Sequence, residues 1–157
     1  MKYAKFFIPV VAALAAISCS TKDSKETAAQ EKKAEQVEQA APASANDGKV
    51  VVLDDPSKLA PGVKVNKLTV VDFNAVWCGP CRQLTPVLDE MAKKYAGKAD
   101  FYSVDIDNFP TLMDAYNLGN SIPVVLFLKP DGSREHYVGI GDLLPAEKFE
   151  ALIEKNL

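Results

Sequence analysis

Three short apolar runs mark candidate strands in the second half of the chain. They occupy residues 68–74, 101–106 and 124–128 and are rich in Val, Leu and Phe. The first and third runs lack the alternation of apolar and polar residues that a half-exposed strand shows, so both are predicted to be buried on two faces. Strands of this kind are typical of a sheet that carries helices on both sides.

Between the first two runs, the spacing of apolar residues changes to that of a helix. After Cys81 the apolar residues recur at i, i+3, i+4, i+7, i+8 and i+11, which places them on one helical face. They are Leu84, Val87, Leu88, Met91, Ala92 and Tyr95. Pro86 must remove one backbone hydrogen bond and bend this helix, and Gly97 ends it. The two strands and the helix then form a right-handed βαβ unit.

The remaining segments predict a second unit. Residues 50–53 read as a short strand, followed by a loop with one helical turn, and residues 111–116 as a short helix. Residues 129–132, Lys-Pro-Asp-Gly, are turn-forming, so residues 133–138 should return antiparallel to the third run. Pro145 suits the first position of a closing amphipathic helix. The predicted fold class is α/β, with a mixed central sheet built as βαβ then ββα and flanked by helices.

Residues 1–18 have the layout of a secretory signal peptide. Lys2 and Lys5 precede an uncharged apolar stretch over residues 6–17, which is too short to cross a bilayer as a helix. Cys19 follows at the expected cleavage point, and Ala-Ile-Ser-Cys at residues 16–19 resembles the lipobox of bacterial lipoproteins, whose cysteine is lipidated. Leucine is usual where Ala16 stands, so cleavage without lipidation remains an alternative.

Residues 19–49 are predicted to be a lipid-attached flexible tether. From residue 20 onward the segment contains no Phe, Leu, Ile, Tyr or Trp, so it cannot bury enough apolar surface to offset the entropy of ordering it. A coil of about thirty residues has an r.m.s. reach of roughly 30 Å. A transient helix over residues 26–41 is the alternative, because these residues are good helix formers. One small folded domain, residues 50–157, remains.

Cysteine count and charge fit a location outside the cytoplasm. Three cysteines would leave an odd thiol in an oxidising compartment, whereas lipid on Cys19 would leave one pair. The formal net charge is −3, and removing Lys2 and Lys5 with the signal peptide makes it −5. This balance gives no indication of a nucleic-acid partner.

The most reactive candidate groups are the two cysteines of Cys78-Gly79-Pro80-Cys81, at the change from strand to helix. A helix that begins here presents unpaired N–H groups and the positive end of its dipole to Cys78, which favours the nucleophilic thiolate. Cys81, one turn further in, should be more buried and placed to resolve a mixed disulfide. Two alternatives are a purely structural disulfide, which would add little stability across so short a loop, and half of a zinc site. Zinc would need about four ligands, but the domain offers two thiols and His136.

Asp72 is an acidic residue inside the apolar run that leads to these cysteines. An isolated carboxylate is costly in such a strand, so burial should raise its pKa. The alternative is that Asp72 points to solvent at a strand end.

The motif and its surroundings resemble the thioredoxin family. The resemblance rests on Trp77 and the four motif residues, on Val-Val-Asp-Phe at residues 70–73 and on Ile122-Pro123, and it covers roughly residues 50–157. It implies the thioredoxin fold, with Cys78 as nucleophile and Cys81 as resolving thiol. It also implies that Asp72 takes the proton from Cys81 as that thiol attacks.

The same resemblance implies a substrate groove and shows two departures. Gly79 and Pro80 of the motif, Trp77, Ile122, Pro123 and Gly139 would line the groove, with a cis bond before Pro123. Core packing of Trp77 and a plain turn at Gly139 are the alternatives. Ser103 stands where thioredoxins often carry a lysine partner to the buried acid, and Asn74 stands where many have an aromatic residue. His136 is expected to face solvent and is assigned no role.

We therefore expect a monomeric protein-disulfide reductase, lipid-anchored through Cys19 on the periplasmic side of a bacterial cell envelope. Its substrates would be protein disulfides, and an upstream membrane or envelope protein would supply electrons. It should need no cofactor beyond its dithiol, and no metal. The alternatives are an oxidase or isomerase that donates its disulfide, or a thioredoxin-fold binding module without turnover.

Overall fold

A computed structural model describes residues 46–157. The predicted signal peptide, Cys19 and nearly all of the predicted tether lie outside the described residues. The described part contains five strands, three α-helices and one short 3-10 helix. The strands are β1 Val50–Val52, β2 Leu68–Asn74, β3 Ala99–Asp105, β4 Val124–Leu128 and β5 Arg134–Val138. The helices are α1 Gly79–Lys94, α2 Pro110–Tyr116 and α3 Ala146–Asn156, and the 3-10 helix is Pro56–Leu59.

The strands form one mixed sheet in the order β1-β3-β2-β4-β5. β3 runs parallel to both β1 and β2, whereas β4 is antiparallel to β2 and β5. The first half is a βαβ unit and the second half a ββα unit, which confirms the fold class predicted from the sequence. β2 lies in the middle of the sheet, and its first six residues are all buried.

Both faces of the sheet are covered, which explains why β2 and β4 lack alternation. On one face, Val70 and Phe127 pack against Leu84 of α1 and Phe149 of α3. On the other face, apolar residues of the same strands pack against α2 and the 3-10 helix. Each fully buried Phe or Leu contributes about 1.5–3 kcal/mol relative to an exposed side chain. The two layers hold the carboxyl end of β2, where the cysteine motif begins, in a fixed position.

Helix α1 begins at the cysteine motif, as the sequence predicted. It begins at Gly79, and Cys78 is its N-cap residue. Pro86 lies inside the helix, and Gly97, with φ of 77°, follows its end. Near the chain end, the sequence predicted Pro145 at the first position of α3. In the structure Pro145 is instead the N-cap residue, and the helix begins at Ala146.

Residues just before the predicted domain boundary at residue 50 contact the domain. The side chain of Asn46 is buried, and its Nδ2 donates a hydrogen bond of 3.0 Å to the carbonyl oxygen of Phe101 in β3. Gly48, with φ of 73°, lies beside Ala96, just beyond the carboxyl end of α1. The chain therefore approaches the domain at the end of α1 that is remote from Cys78.

Candidate active site

Cys78 and Cys81 form a disulfide at the amino end of α1, with a Cα–Cα distance of 5.3 Å. β2 ends at Asn74, and a short loop leads from it to Cys78. The two cysteines pack in a small apolar cluster with Ala75, and Ile106 and Ile122 lie against it. The sheet and the first turn of the helix thus hold both sulfurs in place.

The backbone of α1 points hydrogen-bond donors at Cys78. The N–H of Cys81 donates to the Sγ of Cys78 at 3.2 Å, and the N–H of Arg82 donates to the Cys78 carbonyl oxygen at 3.3 Å. A sulfur that caps a helix in this way is stabilised as a thiolate once the disulfide is reduced, because N–H donors and the helix dipole favour negative charge. The two cysteines differ less in burial than the sequence predicted, since Cys78 is 4% and Cys81 2% exposed. Their positions on the helix, N-cap and third residue, are the larger difference.

Asp72 lies on the face of β2 that is packed against α1. Alternate strand residues share a face, and Leu68 and Val70, on the same face, pack in the cluster that contains Leu84 of α1. The side chain is only 2% exposed, which excludes the alternative that it points to solvent. Burial raises the pKa of Asp72 from 3.8 to about 7, while a hydrogen bond from Asn74 acts in the opposite direction. A carboxyl group with this pKa can exchange a proton near neutral pH.

Asn74 and Ser103, the two departures from the family pattern, meet at Asp72. The amide Nδ2 of Asn74 donates to Oδ2 of Asp72 at 2.9 Å and to Oγ of Ser103 at 2.8 Å. Ser103 on β3 lies directly opposite Asp72 on β2. The sequence identified both positions as unusual but gave no role to either. Their shared strand face with Asp72 is the signal that could have linked them.

Trp77 is part of an exposed rim and does not pack in the core. It is 63% exposed, and its Nε1 donates to Oδ2 of Asp107 at 2.8 Å. The neighbouring Val76 is 79% exposed, and the Val76 carbonyl oxygen accepts a hydrogen bond of 3.1 Å from Nη1 of Arg82. Sequence reasoning missed Asp107 and Arg82, which hold the loop before Cys78 from two sides.

Ile122, Pro123 and Gly139 lie together on another side of the disulfide. The Ile122-Pro123 peptide bond is cis, as the resemblance implied. The N–H of Gly139 donates to the Pro123 carbonyl oxygen at 2.7 Å, and Ile122 packs against the cysteine cluster. Gly139 has φ of 76°, a conformation that glycine adopts without steric cost. The structure thus brings together the predicted groove residues that lie far apart in the sequence.

Other predicted features lie away from this site. His136 on β5 is exposed, as expected. Within residues 46–157, no cluster of three or more His, Cys, Asp or Glu side chains has the arrangement of a metal site. In the same part of the chain, no helix is long and apolar enough to span a membrane.

The thioredoxin family model matches residues 50–155, which include every residue of the site described above. The chain belongs to the thioredoxin family. A thioredoxin of Staphylococcus epidermidis is 38% identical over 109 residues, covering 69% of this chain and 96% of that protein. A chloroplastic M-type thioredoxin of Spinacia oleracea is 42% identical over 88 residues, 56% of this chain, and the match spans only 46% of the spinach protein.

Solved thioredoxin structures share the fold. The thioredoxin of Malassezia sympodialis aligns with a TM-score of 0.59 and 29% identity, covering 69% of this chain and 91% of that one. A mutant thioredoxin from Halobacterium salinarum gives a TM-score of 0.60 with 26% identity, covering 73% and 96% of the two chains. Family membership and the bonded Cys78–Cys81 pair support a thiol-disulfide oxidoreductase.

Proposed function

We propose that this thioredoxin-family chain reduces disulfides in other proteins. The observation that carries the proposal is the position of Cys78, whose sulfur caps α1 and accepts the N–H of Cys81 at 3.2 Å. In the reduced protein, the Cys78 thiolate would attack one sulfur of a substrate disulfide and expel the other as a thiolate. A bond between Cys78 and the substrate replaces the substrate disulfide, so electrons and sulfur bonds balance.

The second step releases the substrate. Cys81 would attack the sulfur of Cys78 in the mixed disulfide and expel the substrate as a dithiol, leaving the Cys78–Cys81 disulfide. Cys81 must lose its proton to attack, and Asp72, with a pKa of about 7, is ionised often enough at neutral pH to accept it. Asp72 is the only acid proposed for this step, because it lies on the α1 side of the sheet. No cofactor beyond the dithiol is required.

The surface around the disulfide supports a peptide substrate. Trp77 and Val76 are exposed on one side, and Ile122 with the Pro123–Gly139 pair lies on another. Gly79 and Pro80 in the first turn of α1 complete the rim. Exposed apolar side chains around a disulfide suit a polypeptide substrate, which would present its own disulfide to Cys78.

Reduction and oxidation use the same site, so the reduction potential decides between them. We expect a value of about −270 mV, typical of reducing thioredoxins, when the purified protein is equilibrated with glutathione or dithiothreitol buffers. A value of about −120 mV, typical of strong disulfide donors, would instead establish the oxidase alternative. A non-catalytic binding module would show no turnover at any potential in an insulin-reduction assay.

We also propose that the protein works in the bacterial cell envelope, anchored on the periplasmic side by lipid on Cys19. The sequence supports the anchor, and the position at which the chain enters the domain is compatible with it. Gly48 lies near the carboxyl end of α1, and the sixteen residues of that helix correspond to about 24 Å. A tether attached there leaves the disulfide at the opposite end free to meet substrates. Each cycle oxidises Cys78 and Cys81, so an upstream membrane or envelope dithiol protein would have to reduce them again.

Replacing Cys19 by serine should release the protein from membranes, because one acylated residue provides the anchor. We expect the wild-type protein in the membrane pellet and Cys19→Ser in the soluble fraction of cell extracts. Insulin reduction by the released variant should equal that of the wild type, since Cys19 is remote in sequence from the domain. Equal membrane retention of the two proteins would contradict lipidation. Ser20→Ala, which leaves the cysteine in place, is the matched control.

A further inference from the structure

Half-buried Asn74 and Ser103 form a small polar group beside the buried Asp72 that catalysis by the two cysteines does not require. The amide nitrogen of Asn74 lies within hydrogen-bonding distance of three acceptors: Oδ2 of Asp72 at 2.9 Å, the Asp72 carbonyl oxygen at 3.2 Å and Oγ of Ser103 at 2.8 Å. An amide carries two hydrogens, so the two shortest contacts account for both. In contrast, Oδ1 of Asp72 is buried and has no hydrogen-bond partner within the described residues.

We propose that Asn74 is a positioning residue that sets the proton affinity of Asp72, and that Ser103 holds the Asn74 amide in place for it. The proposal rests on the function proposed above for its significance, because Asp72 is the proton acceptor there. The donor on Oδ2 stabilises the ionised carboxyl group, whereas burial and the unpaired Oδ1 favour the neutral one. Asn74 therefore keeps a deeply buried acid partly ionised at neutral pH.

The residues paired with Asp72 in the two neighbouring strands carry no charge. On β4, the residue opposite Asp72 is the apolar Val125, and on β3 it is the uncharged Ser103. Asp105, two pairs further along β3, accepts hydrogen bonds from the N–H of Asp107 and from the side chain of Asn108.

On the α1 side, β2 packs against the apolar cluster that contains Leu84, and the two cysteines are joined in a disulfide and do not titrate. Arg82, the charged residue that follows them, is exposed and donates to Val76. Burial raises the pKa of Asp72, and the hydrogen bond from Asn74 lowers it. A change at Asn74 should therefore act on Asp72 directly.

The test follows the carboxyl carbon of Asp72 by NMR as a function of pH in the oxidised full-length protein, where neither Cys78 nor Cys81 titrates. Asn74→Leu keeps the size of the side chain but removes the donor. Because a hydrogen bond to a charged group is worth about one to two pKa units, we expect the midpoint to rise by about that amount. Asn74→Gln, which keeps an amide, should restore part of the shift.

Two variants of Ser103 test the same inference with a smaller expected shift of the midpoint. Ser103→Ala should raise the midpoint by less than Asn74→Leu, because the amide loses its second contact but stays near Asp72. Ser103→Thr keeps the hydroxyl and fits a strand, so its midpoint should match the wild type. An unchanged or lower midpoint in both Asn74→Leu and Ser103→Ala would overturn the proposal, and if Asn74→Leu does not fold, the Ser103 pair decides it alone.

A kinetic measurement separates this inference from the proposed function. If Asp72 accepts the proton from Cys81, the acidic limb of the rate profile for mixed-disulfide release should move to higher pH by the same shift as the NMR midpoint. That movement should vanish when Asn74→Leu is made in an Asp72→Asn background. A midpoint that moves while the rate profile does not would refute the catalytic role of Asp72 and leave the inference about Asn74 standing.

Discussion

Cys81→Ser is expected to accumulate a covalent complex between Cys78 and its protein substrates. The mechanism needs two successive attacks, and this change removes only the second. Cys78 keeps its position as N-cap of α1, where the backbone N–H of residue 81 remains available to its sulfur. The first attack should therefore proceed, while multiple-turnover reduction of insulin falls to background. Non-reducing electrophoresis of extracts from cells that express the variant would display the complexes, and mass spectrometry would name the substrates.

The matched control is Cys78→Ser, which removes the sulfur at the helix end. Cys81 is the third residue of α1 and its own N–H is directed at position 78, so the remaining thiol lacks the stabilisation that the helix end gives to Cys78. We expect this variant to capture far fewer partners and also to show no turnover. If both variants capture partners equally, or neither does while both stay folded, then the roles assigned to Cys78 and Cys81 are wrong. Full turnover in either variant would contradict the dithiol mechanism.

Asp72→Asn is expected to stabilise the oxidised protein at neutral and alkaline pH while slowing its catalysis. The pKa of Asp72 is about 7 in the folded state, against 3.8 for an unperturbed carboxyl group. Between these values the unfolded chain loses a proton that the folded chain keeps, so stability falls as pH rises. The contribution of the neutral carboxyl is fully present below pH 3.8 and is lost as pH passes 7. Because one pKa unit corresponds to about 1.36 kcal/mol, the free energy of unfolding falls by about 4 kcal/mol over this range.

The asparagine amide does not ionise, so the variant escapes this loss. Its amide nitrogen would occupy the place of the unpaired Oδ1. A buried N–H group without an acceptor destabilises the fold by about 1–3 kcal/mol. The net gain above pH 8 should then be about 1–3 kcal/mol, and below pH 4 the variant should be no more stable than the wild type. Urea unfolding at several pH values measures the difference. Asp89→Asn on the exposed side of α1 is the control, with an expected change within about 0.5 kcal/mol at every pH.

The catalytic effect has the opposite sign. An uncharged amide cannot accept the proton of Cys81, so mixed-disulfide release should slow near pH 7 and recover only as the thiol ionises unaided. Equal rates for wild type and variant from pH 6 to 9 would remove Asp72 from the mechanism. A gain in stability without a loss of rate would indicate a buried acid that serves neither folding nor catalysis.

The sequence alone determined the elements whose signals are local. An unbroken apolar run, a helical stripe and a turn tetrapeptide each act within a few residues, so β2, β4 and α1 could be predicted with nearly their observed bounds. The placement of Cys78 at a helix start follows from the same short-range pattern, because the motif directly joins a strand to that stripe. The lipid anchor on Cys19 also rests on sequence alone and stays a prediction.

Tertiary structure decided the contacts that depend on strand register and on loops far apart in the chain. Asn74 reaches Ser103 only because β2 and β3 pair so that residues 72 and 103 are opposite, and no local pattern fixes that pairing. The hydrogen bonds between Trp77 and Asp107 and between Gly139 and Pro123 likewise join separate loops. Burial of Asn46 also needs β3 as a partner, so composition alone could not predict this contact. Local periodicity thus specifies the elements, whereas the packing of those elements against one another specifies how the site is tuned.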